Sequence, residues 1–203
     1  MNELRNIHVV DDDAAVRDAL GLLLLSHGYA VRVFESGERF LEALEPHWEG
    51  VLVLDVRMAG ISGLDVFAQL RQHNSELVVI FLSGHGDIAM AVGAVKQGAF
   101  DFLEKPCAER TLLDKLDDAL AVASARRQMR GSQEAGQARL GRLSLREREV
   151  MERILAGKLN KQIADELGVA VRTIEVHRAN VFAKMAVRSA VELSQLLAGL
   201  ERN

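Results

Sequence analysis

The sequence predicts an α/β fold, a five-stranded doubly wound parallel sheet of (βα)5 type, followed by an all-α helix-turn-helix domain. Three observations carry that expectation. Gly50-Val51-Leu52-Val53-Leu54-Asp55 sets four large aliphatic residues in a row and ends them on a carboxylate, the pattern of a strand buried on both faces of a parallel sheet. Up to Val122, short apolar runs alternate five times with amphipathic stretches, as βα units do. Beyond Leu143 the apolar spacing is helical, and two of the helices are separated by a turn at Gly168.

Composition bounds the domain count and the partners. The 203 residues are 49% hydrophobic and 27% charged, enough for one large or two small domains with real cores. Charge favours two. Through Val122 there are 10 Lys+Arg against 20 Asp+Glu, and from Ala123 onward 15 against 9. Such asymmetry fits an acidic, metal-binding or regulatory part joined to a basic part that meets a polyanion. The single cysteine, Cys107, excludes a disulfide framework and fits a reducing cytosol, where it reads as a packing residue. Neither a secretory-type leader nor a run of about 18 apolar residues occurs, so a soluble, cytoplasmic protein without a membrane partner is expected.

Taken in order, strands are expected near 6–11, 30–34, 51–55, 77–82 and 100–103, and helices near 14–27, 36–45, 63–73, 87–97 and from 109 onward. Gly28 stops the first helix, and Ser62-Gly63 lead into the third. Sheets of this kind place chemistry at the carboxyl ends of their strands. There the sequence puts Asp11-Asp12-Asp13, Asp55, Ser83 and Glu104-Lys105-Pro106. One isolated aspartate is better explained as a turn cap. Two strand ends that gather three or four acids are not, because like charges repel unless a hard cation sits among them, and such oxygen ligands suit Mg²⁺.

On these residues the first half resembles a response-regulator receiver domain. The acid pair Asp11 and Asp12, the acceptor Asp55, the hydroxyl Ser83 and the pair Lys105-Pro106 follow the family's order. The resemblance implies that Asp55 takes a phosphoryl group from a sensor histidine kinase. It further implies that Asp12, the Asp55 carboxylate and the Arg57 main-chain carbonyl ligate Mg²⁺, with Asp11 acting largely through water. Lys105 and Ser83 would contact the phosphoryl oxygens, Phe102 would turn as the switch, and Lys105-Pro106 would be cis. Arg57 and His85 would project over Asp55 and govern hydrolysis. Two departures stand out: Met58-Ala59-Gly60 where relatives commonly read Met-Pro-Gly, and Ala89 where proline is frequent. Both are expected to loosen their loops without touching the acid cluster.

The fifth helix carries the stripe Leu112, Leu113, Leu116, Ala119, Leu120 and Ala123 and is expected to run to about residue 130. Gly131-Ser132, Gly136 and Gly141 punctuate a polar segment read as a helical or flexible linker, which divides the chain into 1–122, 123–142 and 143–203. Ser144 with Glu147 three residues later is a capping box. Asn160–Leu167 and Val171–Met185 flank the Gly168 turn. On the second of these, Ile174, Val181 and Met185 face inward, and Arg172, Val176, Ala179 and Ala183 face outward. One arginine with three small apolar residues suits the floor of the major groove, where Val176 and Ala179 would touch thymine methyls. Thr173, Arg178, Lys184 and Arg188 flank that face and suit phosphate oxygens.

Leu143–Val150 and Arg172–Val181 resemble the LuxR/FixJ type of DNA-binding domain. The two resemblances together imply a two-component transcriptional regulator of the NarL/FixJ type, not an enzyme. Its partners would be promoter DNA, a second copy of the chain when phosphorylated, partly through Ser189–Leu200, and RNA polymerase. Three alternatives stand beside it. A phosphorylation-independent DNA binder is disfavoured by the complete acid, hydroxyl and lysine set. A Mg²⁺-dependent phosphohydrolase with Asp55 as nucleophile would need a substrate pocket, and an RNA-binding antiterminator does not explain the groove-facing pattern.

Overall fold

The computed structural model describes residues 5–46, 48–84 and 88–200, without the side chains of residues 88 and 89. Five parallel strands, β1 (Asn6–Val10), β2 (Ala30–Phe34), β3 (Val51–Asp55), β4 (Val78–Ser83) and β5 (Asp101–Glu104), form one sheet in the order β2-β1-β3-β4-β5. Helices α1 (Ala14–Ser26), α2 (Gly37–Ala43), α3 (Gly63–Gln72) and α4 (Ile88–Lys96) lie between the strands in sequence, and α5 (Glu109–Gly141) follows the last. The boundaries fall within a residue or two of those expected, except that α5 runs past the end expected near residue 130.

β3 is buried at every position because its alternate side chains feed two cores. Val51 and Val53 pack with Ile7, Val9, Val78, Ile80, Leu24 and Leu116. Leu52 and Leu54 pack on the other face with Phe40, Val66, Phe67 and Phe81. Each such side chain contributes roughly 1.5–3 kcal/mol by leaving water, and a slip of one residue would exchange the two sets. The fixed register pairs Val10 with Leu54, Asp55 with Leu82, and Ser83 with Glu104. The residues that end β1, β3, β4 and β5 therefore share one edge. Gly63 opens α3 directly beneath the third strand: a Cβ there would stand 2.1 Å from the Asp55 carbonyl oxygen.

Residues 1–127 and 128–203 form two compact units. In the first, Leu112, Leu116, Ala119 and Ala123 of α5 are buried. The segment read as a helical or flexible linker is helical through Gly141. Its Ala, Gln, Glu and Arg content favours helix, and Gly136 serves packing, not flexibility: a Cβ would meet Leu200 Cδ2 at 2.7 Å.

The second unit packs α6 (Leu145–Leu155), α7 (Asn160–Leu167), α8 (Val171–Met185) and α9 (Ala190–Leu200) around Val150, Ile154, Ile163, Ile174, Val181, Met185 and Leu193. Gly168 ends α7 in the left-handed conformation, with φ 65°, and Val169-Ala170 complete the turn into α8. The expected capping box is present: the Glu147 N–H donates to Ser144 Oγ at 3.2 Å, and the Ser144 N–H donates to Glu147 Oε2 at 2.8 Å. The same Oε2 accepts from Lys184 Nζ at 2.6 Å. One buried carboxylate thus caps α6 and fastens α8 to it.

Two pH dependences follow. The Lys184 ammonium, and then the Ser144 N–H, hold the Glu147 carboxyl down from 4.5 to about 2. Its contribution to stability is full above pH 4.5 and is lost as pH falls toward 2. Glu147→Gln should lower the urea midpoint at neutral pH, and the gap from wild type should close in acid, as read by far-UV circular dichroism. On β1, His8 is buried and stacks on Trp48 with centroids 4.5 Å apart. Burial, and then the Arg32 charge, lower its pKa from 6.5 to about 4. The unfolded chain therefore takes up this proton before the folded one, and stability is lost as pH falls from 6.5 toward 4. His8→Phe should flatten that slope, measured by fluorescence of Trp48, the sole tryptophan.

Candidate functional site

The first site lies where β1 and β3 end. The Asp11 N–H donates to the Phe34 carbonyl at 3.2 Å, carrying the β1–β2 ladder one residue past Val10. Asp11 is 1% exposed, Asp55 is 6% exposed, and Asp12 is open to solvent. One carboxylate oxygen from each lies within 4.8 Å of the other two. Of the three or four acids expected, three gather here and Asp13 does not join them. Its carboxylate caps α1, accepting from the Ala15 N–H at 2.8 Å and the Val16 N–H at 3.4 Å.

Lys105 Nζ pairs with Asp11 Oδ2 and, at 3.1 Å, with Asp55 Oδ1. Its main-chain N–H donates to the Ser83 carbonyl at 2.6 Å, and the Lys105-Pro106 bond is cis as the resemblance implied. Burial pushes the Asp55 carboxyl above the usual aspartate range, with the Lys105 ammonium pulling the other way. For Lys105 the burial effect, which favours the neutral amine, is outweighed by the hydrogen bonds to Asp11 and Asp55, so its pKa is raised and the ammonium persists. Three carboxylates against one ammonium leave an excess of negative charge on oxygen donors, which fits a hard divalent cation such as Mg²⁺. Among the described residues no other group of His, Cys, Asp and Glu side chains is so arranged.

The remaining expected residues surround this cluster. Ser83 ends β4 and is buried. Phe102 is half-buried, its ring 6.2 Å from that of Phe81. Arg57 lies exposed in the loop after β3. His85 lies outside the described residues. The 56–62 loop departs from expectation. The Ala59 N–H donates to Asp12 Oδ2 at 2.8 Å, so the alanine that was expected to leave the cluster alone touches it through its backbone. Further along, the Ile61 N–H donates to Glu38 Oε1 at 2.8 Å, and Ser62 with Asp65 forms a capping box on α3. The loop is fastened, not loosened.

The second site is the outer face of α8. Arg172, Thr173, Val176, Ala179 and Ala183 are exposed, Val176 at 54%, opposite the buried Ile174, Val181 and Met185. Arg178 is half-buried, its guanidinium 5.2 Å over the Phe182 ring. The Arg188 side chain is exposed. Lys184, expected as a phosphate contact, is exposed and has its ammonium on Glu147, a partner 37 residues away that helical periodicity cannot reveal. Arg146 Nη2 donates to the Leu167 carbonyl at 2.8 Å, and Arg153 pairs with Glu166 at 3.0 Å, which ties α7 to α6. No described helix is long and apolar enough to cross a membrane.

With this geometry established, comparison with known proteins is specific. Residues 7–117 match the response regulator receiver domain family, and residues 142–197 match the bacterial regulatory proteins of the luxR family. The transcriptional regulatory protein FixJ of Azorhizobium caulinodans is 44% identical over 98% of this chain and 96% of its own length. The tetrathionate response regulatory protein TtrR of Salmonella typhimurium is 42% identical over 94% of this chain and 90% of its own. Among solved structures, the response regulator StyR superposes with a TM-score of 0.88 at 41% identity, covering 95% of this chain and 98% of that one. Full-length FixJ from B. japonicum gives a TM-score of 0.59 at 41% identity, covering 96% of each. A parallel (βα)5 sheet with its acids gathered around a lysine, joined to a helix-turn-helix unit and similar over nearly its whole length to these regulators, places the chain among the response regulators of the NarL/FixJ type.

Proposed function

We propose that this phosphorylation-controlled transcriptional regulator receives its phosphoryl group on Asp55, from a sensor histidine kinase, and reads promoter DNA with the outer face of α8. One observation carries the first half: Asp55 is a buried carboxylate held between two further acids and an ammonium at the end of a central strand. An Asp55 oxygen forms the new bond to phosphorus as the bond to the kinase imidazole breaks. In a loose, metaphosphate-like transition state, charge collects on the phosphoryl oxygens. Lys105 Nζ, already at Asp55 Oδ1, is placed to neutralise it. Bound Mg²⁺, held by Asp12, Asp55 and the Arg57 carbonyl with Asp11 behind water, would supply further neutralising charge. The Ser83 hydroxyl donates to the incoming group, and Phe102 repacks in response.

The acyl phosphate on Asp55 is then a signal state, not a turnover intermediate, and the chain acts as a regulator, not an enzyme. In this reading residues 1–122 receive the signal, 123–142 connect, 143–203 bind DNA, and phosphorylation favours a homodimer that engages paired half-sites and RNA polymerase in the cytoplasm. On DNA, Arg172, Val176 and Ala179 approach the groove floor, the last two at thymine methyls, while Thr173, Arg178 and Arg188 meet the backbone. Lys184 is assigned chiefly to holding α8 on Glu147.

Asp55→Asn should take up no phosphate label from acetyl phosphate and Mg²⁺ while keeping the wild-type circular dichroism; labelling at wild-type level would remove Asp55 as the acceptor. In gel shifts, Ala179→Glu should abolish sequence-specific binding. Arg188→Ala should weaken all duplexes alike and reduce the salt slope by roughly one unit. Lys184→Ala should change that slope less than Arg188→Ala, and a footprint retained by Ala179→Glu would mean that α8 docks in another rotation.

A further inference from the structure

Asp11 and Asp55 are each held by Lys105, whereas Asp12 is not. Among the described residues, the one hydrogen bond to the Asp12 carboxylate comes from the Ala59 main-chain N–H, at 2.8 Å. Asp12 is exposed and lies beside two other acids. Repulsion and side-chain entropy both favour its swinging out into water. The amide opposes this, and its own position is fixed. The same loop is bound two residues later to Glu38 Oε1, and then by the Ser62–Asp65 box at the start of α3. A carboxylate offers about four lone-pair sites. A bond at Oδ2 therefore leaves Oδ1 free to face a cation.

We propose that the Ala59 N–H is a positioning group for the divalent cation: it holds the Asp12 carboxylate over the site before metal arrives and so raises the affinity of this chain for Mg²⁺. The inference rests on Asp11, Asp12 and Asp55 being the Mg²⁺ site. It assigns a role to a backbone atom that proline, the residue expected at this position from the resemblance, does not possess. The departure Met58-Ala59-Gly60 then adds a hydrogen-bond donor where sequence reading saw only a relaxed loop.

The test is calorimetric titration of Mg²⁺ into four full-length proteins: wild type, Ala59→Gly, Ala59→Pro, and a protein in which residue 59 is lactic acid, so that an ester oxygen replaces the N–H without adding a ring. Ala59→Gly keeps the donor and should bind within about twofold of wild type. The proline and ester proteins should each bind roughly three- to tenfold more weakly, the effect of losing one charge-assisted hydrogen bond. Before metal is added, the Ala59 amide proton should exchange slowly with water in the wild type and quickly in Asp12→Ala, a signature that a general loosening of the fold would not confine to one amide. Wild-type affinity in both the proline and ester proteins overturns the inference and leaves the metal site standing. Weakening by proline alone also overturns it, since the ring and not the missing donor would be responsible. Absence of Mg²⁺ binding by the wild type overturns the metal site and this inference together.

Discussion

Lys105 brings Asp11 and Asp55 under a single ammonium at the edge of a parallel sheet, and much of the first unit can be understood as what keeps that contact in place. Two buried carboxylates so close would repel, and burial alone already disfavours the charged form of Asp55. The lysine offsets both effects only if it cannot leave. Its backbone is part of the β4–β5 ladder through Ser83, and the register of β3 against its neighbours sets the distance between the acids. The apolar run of β3 is thus more than a core element, because a slip of one residue would turn Asp55 away from Asp11.

The second unit solves a related problem with similar parts. Glu147 is a buried carboxylate neutralised by a lysine from a distant helix, and it also satisfies the first turn of α6. Here the pair fastens one helix to another. With the Lys184 ammonium on Glu147, the outer face of α8 carries Arg172, Val176, Ala179 and Ala183, three of them small enough for close approach to another surface. In both units a charge that seems available in the sequence is engaged in holding a neighbouring element.

How far the sequence is legible depends on the kind of interaction. Alternation and apolar runs disclosed the five strands, and the wheel of α8 separated Ile174, Val181 and Met185 from its outward residues, because burial leaves a periodic trace. The order of the acids, Ser83 and Lys105 pointed to the first site because each ends a strand or follows one within two residues. What stayed hidden has no such trace. Asp13 is chemically equal to its two neighbours, and only the entry into α1 makes it a cap. Gly136 reads as a flexible residue until Leu200 is found against it. Lys184 and Glu147 meet across 37 residues, and Asp12 meets an amide 47 residues away whose donor no side-chain pattern records.

Gly63 carries no functional group, yet its missing side chain is what allows α3 to begin under β3, with the Asp55 carbonyl where a Cβ would otherwise stand. Every amino-acid replacement at that codon adds at least one carbon. Genetically, then, position 63 should behave like a catalytic position: intolerant of substitution, rich in loss-of-function alleles, and rescued most readily by second changes that shift the loop instead of restoring any chemistry.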